Sequence, residues 1–135
     1  MARAVTRWVL ALLYALAGAA HLLLPRPFLG IMPTWVPAPE LVIALTGVAE
    51  LAGAAGLLQP WFPALRRAAG WGLAAYAVCV FPANIVHFIR DMARPDHGLG
   101  LGYHVPRMFV QPVLVWLALW VGQVLPFRAR AAHER

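Results

Sequence analysis

The sequence predicts an all-α transmembrane four-helix bundle, and three observations lead there. The chain is 62% hydrophobic over 135 residues, with eleven basic and five acidic side chains, whereas a soluble domain of this length carries ~34 charges at about 25% charged. Its apolar residues gather into four runs, each near the ~20 residues that cross a bilayer. Six tryptophans, 11 glycines and 12 prolines suit the interfaces, close helix contacts and turns of membrane proteins. Helices are required because an open sheet edge leaves backbone groups unsatisfied in lipid. A single membrane domain over 1–135 is expected, since the length leaves little room for a second core.

The first helix is expected over about 6–24, TRWVLALLYALAGAAHLLL. Arg3 and Arg7 before an apolar run that ends in AGAA imitate a cleaved secretory signal. A retained helix is favoured, because Leu22, Leu23 and Leu24 carry the apolar run past the cleavage point to a spanning length. PRPFLGIMPTWVPAPE follows with five prolines in sixteen residues, a spacing that argues against a regular helix. An amphipathic surface loop is expected there, with Trp35 at head-group level. The second helix covers about 41–59, where Gly47, Ala54 and Gly56 let neighbouring backbones approach. The third covers about 68–89 and carries Pro82, which deprives the Val78 carbonyl of its donor and predicts a kink. Positions 90–107, RDMARPDHGLGLGYHVPR, read as a polar loop. The fourth helix spans about 108–125.

Four spans put both termini on one side, and short connections make sequential neighbours antiparallel. Arginines 3, 7, 66, 67, 128, 130 and 135 fall on the terminal side, and 26, 90, 94 and 107 on the other. The positive-inside bias therefore predicts cytoplasmic termini. The +6 charge serves topology and anionic lipid head groups. It forms no basic stripe beside stacking aromatics, so a nucleic-acid partner is excluded. Cys79, the single cysteine, cannot make an intramolecular disulfide or a thiolate cluster, and is expected to be a small buried hydrophobe.

The polar residues within the apolar runs are the candidate site. Glu50 lies near the middle of its helix, where lipid exposure of a carboxylate costs about 3 kcal/mol, so it should face inward. His21, Asn84, His87 and Gln111 fall at similar depths toward the outer side. Asn84 and His87 share a face, as do His87 and Asp91. Together His21, Glu50, Asn84, His87 and Gln111 are the expected ligand-binding set of an outward pocket, with Glu50 and His87 handling protons. The competing explanations are interhelical hydrogen bonding for Glu50, a helix-interface position for His21, and capping of the carbonyls disturbed near Pro82 for Asn84. His97, His104 and His133 are assigned to solvated loops or the tail. No two histidines show a metal-ligand spacing, so no dedicated metal site is expected, and a haem between His21 and His87 is disfavoured. Phosphate loops and nucleophile elbows are absent, and the chain has no serine, which removes the familiar hydrolase templates.

AGAAHLLLPRPF at 17–28, the PAPE and TGVAELAGAAGLL stretches of the second helix, WGLAAYAVCVFPANIVHF at 71–88 and QPVLVW at 111–116 resemble the DoxX-like family of small bacterial four-helix membrane proteins. The resemblance implies an inner-membrane protein related to quinone-linked or thiol-redox systems, and it falls on His21, Pro25, Glu50, Gly53, Pro82, Asn84 and Gln111. The lone Cys79 departs from relatives that use paired cysteines. Whether the chain is an enzyme is left open. The leading expectation is a redox-associated module that binds a quinone or another small lipophilic molecule. An assembly partner of another membrane protein, docked through the Gly47–Gly56 face, is the first alternative. A proton-coupled small-solute transporter acting as a homo-oligomer is the second.

Overall fold

The computed structural model describes residues 1–125 and contains five helices. Four are long and apolar enough to cross a membrane: α1 (Ala2–Leu23), α3 (Pro39–Leu58), α4 (Pro63–Met92) and α5 (Leu101–Val121). A short helix, α2 (Pro25–Ile31), joins the first two. At 1.5 Å per residue the 20 residues of α3 extend ~30 Å, the thickness of a hydrocarbon core. The arginines at 128, 130 and 135 and His133 lie outside the described residues.

The fifth helix corrects the expectation of a proline-disrupted loop at 25–40. Pro25 and Pro27 both fall in the first turn of α2, where a backbone N–H has no intrahelical partner to lose. Pro33 and Pro37 stay outside the helix and only the segment from Met32 to Ala38 is irregular. A second correction concerns α5, which begins at Leu101 rather than near 108 and runs through both Pro106 and Pro112. The glycine-rich loop is thereby confined to 93–100. Likewise α4 continues without interruption through Pro82.

The core is built from Leu10, Ala11 and Tyr14 of α1, Ala54 and Leu57 of α3, Leu73 and Ala74 of α4, and Ala118 and Val121 of α5. Small residues set how closely these helices meet. A Cβ on Gly18 of α1 would stand 2.7 Å from the carbonyl oxygen of Gly47 on α3, and one on Gly70 of α4 would stand 2.8 Å from the Ala118 carbonyl oxygen on α5. Such backbone approach gives the dispersion contacts that hold helices together where lipid removes the hydrophobic drive. The outer faces are apolar: Trp8, Leu12, Leu16, Leu45, Val48, Trp71 and Trp116 are all exposed. Tryptophan also pairs with arginine at one end, where the Arg3 guanidinium lies 5.4 Å from the Trp120 ring centroid.

Candidate functional site

Polar side chains enter the bundle at two places, and the first is a cavity of about 580 Å³. Glu50 lies on its wall, 3% exposed, as the inward face of α3 requires. His21 reaches it from α1: Nδ1 is 2.7 Å from Glu50 Oε2 and 3.0 Å from the Ala17 carbonyl oxygen. Both neighbours are acceptors, so the geometry assigns the proton to Nδ1 and makes Nε2 the acceptor of the neutral ring. A carboxylate on Nδ1–H fixes the tautomer and stabilises the imidazolium once Nε2 takes a proton. Glu50 is thus paired with His21, and His87 does not line this cavity.

The cavity is covered by the segment that follows α1. Phe28 of α2 lies against the His21 ring, centroids 3.9 Å apart, and Met32, Trp35 and Val36 complete that wall. Arg90 of α4 donates from Nη1 to the Met32 carbonyl oxygen at 3.0 Å, tying the covering segment to the bundle. Tyr14 and Tyr76 border the cavity, and the buried Tyr14 hydroxyl has no partner among the described residues. A buried hydroxyl left unpaired costs ~1–3 kcal/mol. Cys79 also borders the cavity and is exposed, which corrects its reading as a buried hydrophobe.

Asn84 and Gln111 close the opposite wall as a relay. Asn84 Nδ2 donates to Gln111 Oε1 at 3.2 Å, and Gln111 Nε2 donates to the Ala77 carbonyl oxygen at 2.6 Å. Gln111 therefore serves a backbone acceptor one residue from Val78, whose carbonyl Pro82 leaves without a donor. Its amide supports the helix and orients Asn84 at once. Of the expected set, then, His21, Glu50, Asn84 and Gln111 share one cavity.

His87 belongs to a second cluster. Asp91 Oδ2 accepts from His104 Nε2 at 2.9 Å and from the Leu99 backbone N–H at 3.0 Å, and lies 3.4 Å from His87 Nε2. Arg107 Nη1 lies 3.3 Å from His87 Nδ1 and donates to the Tyr103 hydroxyl at 2.8 Å. His104 is wholly buried, stacked on Phe88 with centroids 5.2 Å apart, which corrects its assignment to a solvated loop. His97 is exposed as expected. The expectation that metal is disfavoured is also corrected: ligand atoms of His87, Asp91 and His104 lie within 4.8 Å of one another. A loop reading of 90–107 hid this. The missed signal is helical register, because His104, Met108 and Gln111 repeat at four and three residues and so continue one face of α5.

Beyond the cluster, in the loop outside the long helices, Arg94 and Asp96 form a two-point ion pair with both distances 3.0 Å. Arg94 and the Gly98 N–H hold the Asp96 carboxyl below its ordinary range, and Asp96 in turn raises Arg94.

The family described as "Domain of unknown function (DUF8561)" matches residues 10–122, which take in both clusters. No curated protein and no solved structure matches the chain.

Proposed function

The chain belongs to the DUF8561 family, and we propose that it is a multi-pass inner-membrane protein whose cavity binds a small lipophilic molecule with a hydrogen-bonding head, a quinone being the leading class. One observation carries the reading: the Glu50–His21 pair, at 2.7 Å, stands on the wall of a largely apolar 580 Å³ cavity that the Tyr14 hydroxyl, without a partner among the described residues, also borders. Apolar walls with a few convergent polar groups are the usual build of a small-molecule site. His21 Nε2 accepts a proton from the head group and Glu50 stabilises the resulting charge. The pair moves protons and not electrons, so in the redox-associated role a separate electron-accepting partner takes the two electrons of a bound quinol, whose two protons leave, one to His21 Nε2 and the other to solvent. The resemblance to the DoxX-like family agrees with this role. The arginine distribution supports cytoplasmic termini and a pocket on the outward side, and the short connections support antiparallel neighbours.

The test is native mass spectrometry of the protein released from its own membrane in the gentlest effective detergent, with an absorbance spectrum of the same sample. A reproducible added mass with a quinone absorbance is expected, lost in Glu50→Gln and in His21→Ala. A chain that is bare under every extraction condition overturns the proposal. Nothing favours the assembly reading through the glycine face: Gly47 packs on Gly18, Gly53 on Leu73 and Gly56 on Ala69 of the same chain.

A further inference from the structure

Where α4 ends and α5 begins, a second group of side chains takes no part in the proposed pocket chemistry. His87 and Asp91 are one turn apart on α4 and so present their ends together. His104 arrives from the first turn of α5 because the loop reverses through Gly98 and Gly100, with φ of +51° and +72°. We propose that His87, Asp91 and His104 form a binding site for one divalent transition-metal ion of the zinc class.

Geometry is the first support. Ligands held 2.0–2.1 Å from a tetrahedral ion stand roughly 3.3 Å from one another. His104 Nε2 and His87 Nε2 already stand 2.9 and 3.4 Å from Asp91 Oδ2, and all three ligand atoms fit within 4.8 Å.

Hydrogen-bond arithmetic is the second. Asp91 Oδ2 faces Leu99 N–H and two ring nitrogens, but a carboxylate oxygen offers two lone pairs. An ion between the rings replaces both ring protons, leaving Oδ2 one bond to Leu99 and one to the metal. Each ring keeps its single proton, which moves to Nδ1, so both imidazoles bind as neutral ligands and no net proton is released.

The third support is His104 itself. Its ring is 0% exposed and Nδ1 has no partner among the described residues. That orphan is a cost of burying an imidazole where a side chain with one donor would satisfy Asp91. Coordination at Nε2 moves the ring proton to Nδ1, which still meets no acceptor among the described residues; what the buried imidazole adds over a simple donor to Asp91 is the Nε2 lone pair that an ion needs. Two imidazoles and one carboxylate suit zinc, nickel, cobalt or copper over magnesium or calcium, and three protein ligands leave the fourth position of a zinc site for water.

Arg107 opposes the ion. Its Nη1 is 3.3 Å from His87 Nδ1, and with metal on Nε2 that nitrogen carries the ring proton and repels the guanidinium. Arg107 then turns away on its remaining 2.8 Å bond to the Tyr103 hydroxyl, so removal of its charge strengthens binding.

The experiment titrates zinc chloride into the full-length, tag-free protein in detergent after chelator treatment, read by calorimetry and metal analysis, with the visible spectrum of the cobalt-loaded protein alongside. One zinc per chain is expected. Asp91→Asn and His104→Ala should weaken it by at least ~100-fold, the upper range for loss of a mere supporting group, and abolish the cobalt bands. Arg107→Met should tighten it, and His97→Ala should leave it unchanged. Asp91→Asn keeps an acceptor for Leu99, so normal helix content in that variant separates lost ligation from lost fold. If His104→Ala fails to fold, His87→Gln with Asp91→Asn decides. Zinc well below one per chain, or binding that survives Asp91→Asn, overturns the site and leaves a hydrogen-bonded staple.

Discussion

At Gly98 two constraints meet in one residue. Its φ of +51° is left-handed, and a Cβ there would overlap the Asp91 carboxylate. Gly100 shares the positive φ, at +72°, but a Cβ there meets nothing within 4 Å. Gly100→Ala should therefore lose only the conformational part, about 1–3 kcal/mol, because φ +72° with ψ 174° is a glycine region. Gly98→Ala should lose more, because Asp91 must also move; thermal unfolding in detergent of the two variants checks the order, and equal losses would remove the packing argument. The loop also responds to acid. Asp96 titrates below its ordinary 3.8, so its contribution is present above that value and disappears as pH falls through the lower folded value. Asp96→Asn should flatten that acid-side change in loop protection, read by hydrogen exchange; an unaltered pH profile would mean that Asp96 adds nothing there. Among single residues, the inward face of Glu50 was legible because an exposed carboxylate in lipid is costly. Its partner was not, since residues 29 positions apart carry no local signal. The burial of His104 likewise depends on Asp91 of another helix.

At the scale of elements, α3 and α4 show glycine in opposite roles. A Cβ on Gly53 would overlap the Leu73 side chain, whereas Gly72 has open space around its α-carbon. Gly53→Ala should destabilise the bundle by about 1–3 kcal/mol through overpacking. Gly72→Ala should raise stability by roughly 0.5–1 kcal/mol through backbone entropy. Opposite shifts in unfolding temperature would bear this out, and shifts of one sign would count against it. The long apolar runs were legible as helices because length and hydropathy decide them. The element ends were less so. Proline at 25 and 27 signals a break in a helix interior but is tolerated in a first turn, and the sequence does not say which turn it occupies. Glycine at 98, 100 and 102 suggested a continuous loop, yet anchoring of His104 on Asp91 lets α5 start two turns early. Tertiary contact overrides propensity there.

For the whole molecule, the apolar exterior is the property that sets the solvent. Val48, 54% exposed near the middle of α3, would be an ordinary surface site in water, where substitutions stay within about ±0.5 kcal/mol. In a bilayer, Val48→Arg should cost about 3 kcal/mol on insertion scales, seen as lost membrane-fraction yield and lower thermal stability. Normal insertion and stability would argue against a lipid-facing α3. The all-α character and the four helices long and apolar enough to span were open to hydropathy alone; the shape of the cavity was not, because it depends on how α2 folds over His21. Arg107 gives this architecture a further property. It lines the cavity and also faces His87, so one guanidinium belongs to two places about which a guest and an ion would make different demands. Linkage requires that whatever factor the ion imposes on the guest's affinity, the guest imposes on the ion's. Two ligands that never touch would thereby sense each other through the rotation of a single side chain.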